Sequence, residues 1–334
     1  MKTTVVRGLP WGAMGRMTLR RALFAVPVIV AVTFGVFAIA EASPFDPVKA
    51  YAGTAGLTAS QENLDQLRVN LGVDQPLVTR WWDWLTSALH GDLGDSGVMR
   101  QPVADVITER LGWSVLLAAV AFAAAVLLGT LLGVLAARRQ GGWLDRAVSS
   151  LAYTLEAAPP FWLGLLAVWL FALKLGVLPA GGLTDTGSST VSAGQVLSHL
   201  ALPAAVLAVS QLPWFLLYVR QGVAEALEED PVRGARARGL APRTVLTGHA
   251  LRSGMLPVLT LIGSRVPELI TGALLVETVF SWPGIAAATV EAATSVDFPL
   301  LAALTVLATV AVLLGNLLAD LLYGLADPRV GFDG

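Results

Sequence analysis

Cysteine is absent from this chain and lysine nearly so. With no cysteine in 334 residues, disulfides, thiolate catalysis and cysteine-based metal sites are excluded. The only lysines are Lys2, Lys49 and Lys174, and none closes a G-x-x-x-x-G-K-[ST] loop. The chain therefore lacks the Walker loop that would cradle the phosphates of ATP. Its three histidines, His90, His199 and His249, stand far apart at no metal-ligand spacing, and read as isolated loop or helix-end residues. No catalytic residue, metal site or cofactor of its own is expected. Charge is scarce too: 14% of residues are charged, against about 25% in an ordinary soluble domain. The formal net charge of -2 argues against a nucleic-acid partner, but it hides a segregation of sign along the chain that says more.

What is abundant is apolar residues, at 55%, which makes a bilayer the main solvent. A helix needs about 20 mostly apolar residues to cross a hydrocarbon core of about 30 Å. Six runs meet this: 19–40, 112–137, 147–173, 197–219, 256–280 and 300–324. Runs three to five contain Pro159, Pro160, Pro203, Pro213, Pro257 and Pro267. Membrane helices tolerate proline where neighbours satisfy the freed carbonyls, so kinks rather than breaks are expected.

Arginine placement sets the orientation. Arg16, Arg20 and Arg21 lie before or at the very start of run one; Arg138, Arg139 and Arg146 join runs two and three; Arg220, Arg233, Arg236, Arg238, Arg243 and Arg252 join runs four and five; Arg329 follows run six. By the positive-inside rule these segments and both termini are cytoplasmic. The segment 41–110 carries ten acidic residues against five basic ones, as an external loop should. A cleavable signal at the start, suggested by Arg20, Arg21 and Ala40-Glu41-Ala42, is disfavoured because the apolar stretch exceeds the usual signal core. Within the external loop, 58–71 places Leu64, Leu67 and Leu71 on one face behind a Thr or Ser cap and reads as a short amphipathic helix. Trp81, Trp82, Trp84 and Trp113 read as anchors at the outer headgroup layer.

Charges inside the runs are few, and such groups usually face a cavity or each other. Away from the run ends stand Glu156, and Arg265, Glu268 and Glu277 in run five, with Gln211 as a polar residue in run four. Arg265 and Glu268, at i and i+3, are close enough to pair. A local pair that solves its own burial is favoured over a substrate counter-ion, while Glu156 and Glu277 are expected near the membrane boundaries.

Six stretches together resemble one family. They are LGVDQPLVTRWWDWLTSALHGDLGDS (71–96), VLAARRQGGWLDR (134–146), PPFWLGLLAVWLFALKLGVLPAGG (159–182), ARARGLAPRTVLTGHALRSGMLPV (235–258), VETVFSWPGI (276–285) and NLLADLLYGLADPR (316–329). In order and over nearly the whole chain, they are similar to the permease subunits of ABC importers for dipeptides, oligopeptides and nickel, of the type with a long first external loop. The resemblance implies an all-α polytopic inner- or plasma-membrane protein of the type I importer fold. Its parts would be a cytoplasmic segment 1–18, a six-helix permease domain 19–324 with an external loop 41–111 and a coupling loop 220–255, and a cytoplasmic tail 325–334. It also implies partners: a second homologous permease, two cytoplasmic ATP-binding subunits that carry ATP and Mg, and an extracytoplasmic binding protein. The substrate implied is a peptide, with nickel or another small solute as alternative within the family. An ATP-independent secondary transporter is the alternative outside it, though no repeated halves with broken helices are visible.

The same resemblance implies that 228–257 is the coupling segment, with Asp230, Arg233, Gly234, Ala235, Arg236, Ala237, Arg238 and Gly239 at the ATPase contact. The family's E-A-A-x-x-x-G pattern falls on Arg233, Gly234, Ala235 and Gly239. Ala235 and Ala237 would allow close approach to the partner, Gly239 would end the helix, and the arginines would meet carboxylates. Pro231 and Phe45 depart from the family's usual residues, as do Arg265 and Glu268.

Overall fold

Every long apolar run becomes helix. A computed structural model describes residues 11–44, 48, 52, 60–70, 72, 74–185, 187 and 190–326; Phe45, Thr58, Leu71 and Arg329 lie outside these. The chain opens with α1 (Trp11–Glu41), α2 (Gln61–Asn70) and α3 (Leu77–Leu89), then a small antiparallel ladder of β1 (Asp95–Ser96) and β2 (Gln101–Pro102). Next come α4 (Val103–Arg138), α5 (Trp143–Ala157) and α6 (Pro160–Ala167), the last running into a π-helical stretch, Val168–Lys174. After α7 (Ala193–Glu228) follow α8 (Asp230–Ala237) and α9 (Pro242–Val245), a π-helical turn Leu246–Ala250, and α10 (Leu251–Gly254). The chain closes with α11 (Leu256–Ser264), α12 (Val266–Val279), α13 (Ile285–Thr294) and α14 (Phe298–Ala326).

Among the described residues, four segments are long and apolar enough to cross a membrane: Gly15–Glu41, Val103–Arg138, Ala193–Glu228 and Phe298–Leu318. The α5–α6 pair makes a fifth if its two limbs count as one span. That pair corrects an expectation. Kinks were anticipated at Pro159 and Pro160, yet the limbs are bent by 103°. The cause is local. A residue before proline is driven out of the α region, and Ala158 sits at φ -88°, ψ 124°, so the helix ends and Pro160 starts a new one at a position where its missing N–H is harmless. Pro203 and Pro213, by contrast, lie inside the continuous α7. Run five divides at Arg265 into α11 and α12, nine and 14 residues long.

The helices sort into two units, one of Leu116–Phe280 with the N-terminal part of α1 and the C-terminal part of α14, the other of Leu23–Val115 and Ser281–Ala311. In the second unit, Val103, Val106, Ala288, Ala292, Leu300, Ala303 and Leu304 form a core against which Trp84, Leu93 and Met99 pack. Asp297, 6% exposed, accepts from Ser96 Oγ at 2.7 Å, from Val98 N–H at 3.1 Å and from Leu300 N–H at 3.3 Å. One carboxylate thus caps α14 and pins the β1–β2 turn. The tryptophans expected at the headgroup layer also serve as partly buried struts. Trp81 donates to Thr33 Oγ1 at 3.1 Å, Trp84 to the Leu93 carbonyl at 3.3 Å, and Trp113 packs edge-on against the buried Trp282. Only Trp82 of the four is largely exposed, at 56%. In α2, Ser60 Oγ accepts from Asn63 N–H, and Leu64 and Leu67 turn inward.

The first unit is organised around α7, which buries a long, mostly apolar face. Its start is fixed by a capping box of Ser192 and Gln195, a reciprocal arrangement that satisfies two orphan donors. Close helix approach depends on glycine: a Cβ on Gly133 of α4 would lie 2.7 Å from the Leu216 carbonyl oxygen, and one on Gly222 would lie 2.4 Å from that of Gly254. His199 is structural, its ring nitrogens at 3.0 Å from the Gly181 carbonyl oxygen and 3.3 Å from Asp185 Oδ1.

Candidate functional site

The arginine-rich segment after α7 folds as a short helix with two unlike faces. Glu229 is extended, at φ -67° and ψ 152°, and breaks the chain from α7 into α8. Pro231 sits in the first turn, where it is tolerated. Val232 and Ala235, one turn apart, are 1% and 0% exposed and pack with Ala226, Val245 and Ala250. Arg233, Gly234, Arg236, Ala237 and Arg238 all face outward. Gly239 ends the helix at φ +77°, the left-handed conformation that glycine adopts at little cost. Its N–H reaches the Arg236 carbonyl at 2.9 Å, and that of Leu240 reaches Ala235 at 3.3 Å. Asp230 and Arg233 are 3.9 Å apart and both exposed, so this pair contributes little and leaves the arginine comb available.

Ala235 is the correction here. The sequence places its small side chain at the contact with a partner, whereas the side chain is sealed inside this chain. A one-residue change of register on a helix turns the face by about 100°, and sequence alone does not fix which face the chain itself covers. The consequence is testable on the isolated chain. Ala235→Glu would bury an unpaired carboxylate, an error of several kcal/mol, and should loosen α8 enough to open 228–250 to limited proteolysis with no partner present. Gly234→Leu should not, because a Cβ there meets nothing within 4 Å.

A buried ion pair beside this segment was not anticipated. Asp145, 3% exposed, accepts from Arg220 Nε, from Arg220 Nη2 at 2.7 Å, from the Gly141 N–H at 2.8 Å and from Ser149 Oγ at 3.4 Å. It ties the start of α5 to α7 near the latter's C-terminal end. The signal in the sequence was a lone carboxylate in a connection otherwise marked by Arg138, Arg139 and Arg146.

Among the polar residues of the runs, Arg265 and Glu268 do pair, and the Arg265 guanidinium lies 3.5 Å from the Trp214 ring centroid. Gln211, one turn before Trp214, is 6% exposed, and its Oε1 has no hydrogen-bond partner among the described residues. The structure thus brings Gln211, Arg265 and Glu268 onto the seam of α7 and α12. Glu156 is not joined to them: it is exposed in the last turn of α5, beside the 103° bend. Glu277 is 1% exposed.

Comparison with known proteins finds relatives along nearly the whole chain. Residues 129–332 match the family model of the binding-protein-dependent transport system inner membrane component, and 14–118 match the N-terminal model of such membrane components. A putative peptide permease protein of Brucella suis is 35% identical over 318 residues, covering 95% of this chain and 99% of that one. The oligopeptide transport system permease protein of Bacillus subtilis is 33% identical, covering 96% and 100%. The dipeptide transport system permease protein of Escherichia coli is 34% identical, covering 95% and 99%.

Proposed function

We propose, because the chain belongs to the family of binding-protein-dependent transport system inner membrane components, that it is one of two permease subunits of an ATP-driven importer of peptides. The observation that carries this reading is similarity to peptide, oligopeptide and dipeptide permeases over 95% or more of the chain. It is a multi-pass protein of the inner or plasma membrane. In our reading it crosses six times with both termini in the cytoplasm, using the four long helices, the bent α5–α6 pair and the α11–α12 pair. Arginine on alternate connections supports this. The permease domain is then 19–324, flanked by cytoplasmic ends.

ATP and Mg belong, in this reading, to two cytoplasmic ATPase subunits, and an extracytoplasmic binding protein delivers the peptide; this chain is not itself an enzyme. Coupling falls to α8. Its inner face, Val232 and Ala235, is clamped to the end of α7 and to the turn after α9, so a force applied to α8 is passed to α7 rather than absorbed. Its outer face presents Arg233, Arg236 and Arg238 to an acidic groove, where complementary charge sets register, and Gly234 lets the partner approach closely.

Co-expression with a second permease, the ATPases and a binding protein should give a complex that transports a peptide in liposomes at the expense of ATP. Impermeant thiol reagents should label cysteines placed at Ser60 and Thr244 from opposite sides. Gly234→Leu should abolish ATPase co-purification while leaving the chain folded. A complex that assembles, hydrolyses ATP and moves no peptide would sink the substrate assignment, and same-side labelling would sink the six-span topology.

A further inference from the structure

The ion pair on the α7–α12 seam treats its two ends differently. Arg265 is 11% exposed at the side chain and lies against Trp214, whereas Glu268 is 56% exposed. A pair that served only to neutralise itself would be best placed with both ends satisfied internally. This one hides the cation and presents the carboxylate. Both residues lie near the middle of the stretch formed by α11 and α12, and a charge at that depth is too expensive to face acyl chains, so it faces a watered path or a polar surface. The same seam holds the unsatisfied Gln211 Oε1, whose amide nitrogen is 3.7 Å from where a Cβ of Gly272 would be.

We propose that Glu268 is the point on the translocation path that receives the positively charged end of the substrate, the α-ammonium group of a peptide. A carboxylate offers about four lone-pair positions, so Glu268 can accept from an ammonium while one oxygen stays on Arg265. That tether keeps the acceptor aimed away from the chain's own core, and the net charge of the loaded site remains that of the peptide's ammonium alone. The inference rests on the peptide-importer reading and adds which end of the peptide this chain engages.

The test uses the assembled transporter in liposomes, with trialanine as probe and the chain's lack of cysteine as the tool. Glu268→Cys should react with a water-soluble, cationic methanethiosulfonate, and saturating trialanine should slow that reaction. Glu268→Gln keeps the size of the side chain and loses the charge. It should reduce trialanine moved per ATP hydrolysed by about tenfold, the equivalent of losing one charge-assisted hydrogen bond, while Glu268→Asp restores part of it. A cysteine at 268 that is inert, or that reacts at the same rate with and without trialanine, overturns the proposal. So does Glu268→Gln transport at the wild-type ratio. Failure of the importer reading itself shows separately, as wild-type complex that moves no trialanine.

Discussion

Arg220→Ala should be among the most damaging single substitutions in this chain, lowering stability by about 3–5 kcal/mol, the range for stranding one member of a buried pair. The damage lies on the partner left behind. Asp145 is 3% exposed against 29% for Arg220, so the carboxylate keeps only the Gly141 N–H and a long contact with Ser149 Oγ, and water cannot replace what is lost. Asp145→Ala should be milder, since the partly exposed arginine can reach outward to solvent or headgroups. The two variants are therefore expected to differ, and the midpoint of thermal unfolding in detergent measures it. The double variant Asp145→Leu with Arg220→Met should recover most of the loss, because no charge remains in the apolar site. Equal stability of Arg220→Ala and wild type would mean the pair adds nothing.

The second large effect belongs to the crossing of α7 and α10. A Cβ on Gly222 would lie 2.4 Å from the Gly254 carbonyl oxygen, and one on Gly254 would lie 2.8 Å from that of Gly222. Backbone meets backbone there, so no side chain can rotate aside. In apolar surroundings such close crossings supply much of the helix association through packing alone. Gly222→Val should therefore separate the two elements and destabilise by about 3 kcal/mol or more. Because α10 follows the turn on which α8 rests, the variant should also lose ATPase association, measured by co-purification. Gly248→Ala is the control: a Cβ there meets nothing within 4 Å, and it should behave as wild type.

These two sites mark where sequence reasoning stops. Apolar run length gave the helices, because a 20-residue periodicity-free stretch in lipid has only one way to satisfy its backbone. Local spacing was enough for the Arg265–Glu268 pair, three residues apart at the start of α12, and for the helix end at Gly239, where φ is +77°. The family signature was legible because it consists of short ordered stretches whose chemistry is local.

Three-dimensional packing decided the rest. Asp145 and Arg220 are 75 residues apart, and nothing in either neighbourhood names the other. Which glycines the chain's own packing requires depends on which carbonyl lies opposite: a Cβ on Gly222 would meet one at 2.4 Å and one on Gly234 would meet nothing within 4 Å, though both read as small residues in helices. The 103° bend after α5 required knowing that Ala158 yields to two consecutive prolines, where Pro203 and Pro213 leave α7 continuous. Ala235 turned inward because Val232, one turn earlier, shares its face and has Val245 and Ala250 to cover it. Sequence sets what each segment prefers by itself; the partner surface that a residue meets, and so whether its charge or its missing side chain matters, exists only once the helices have packed.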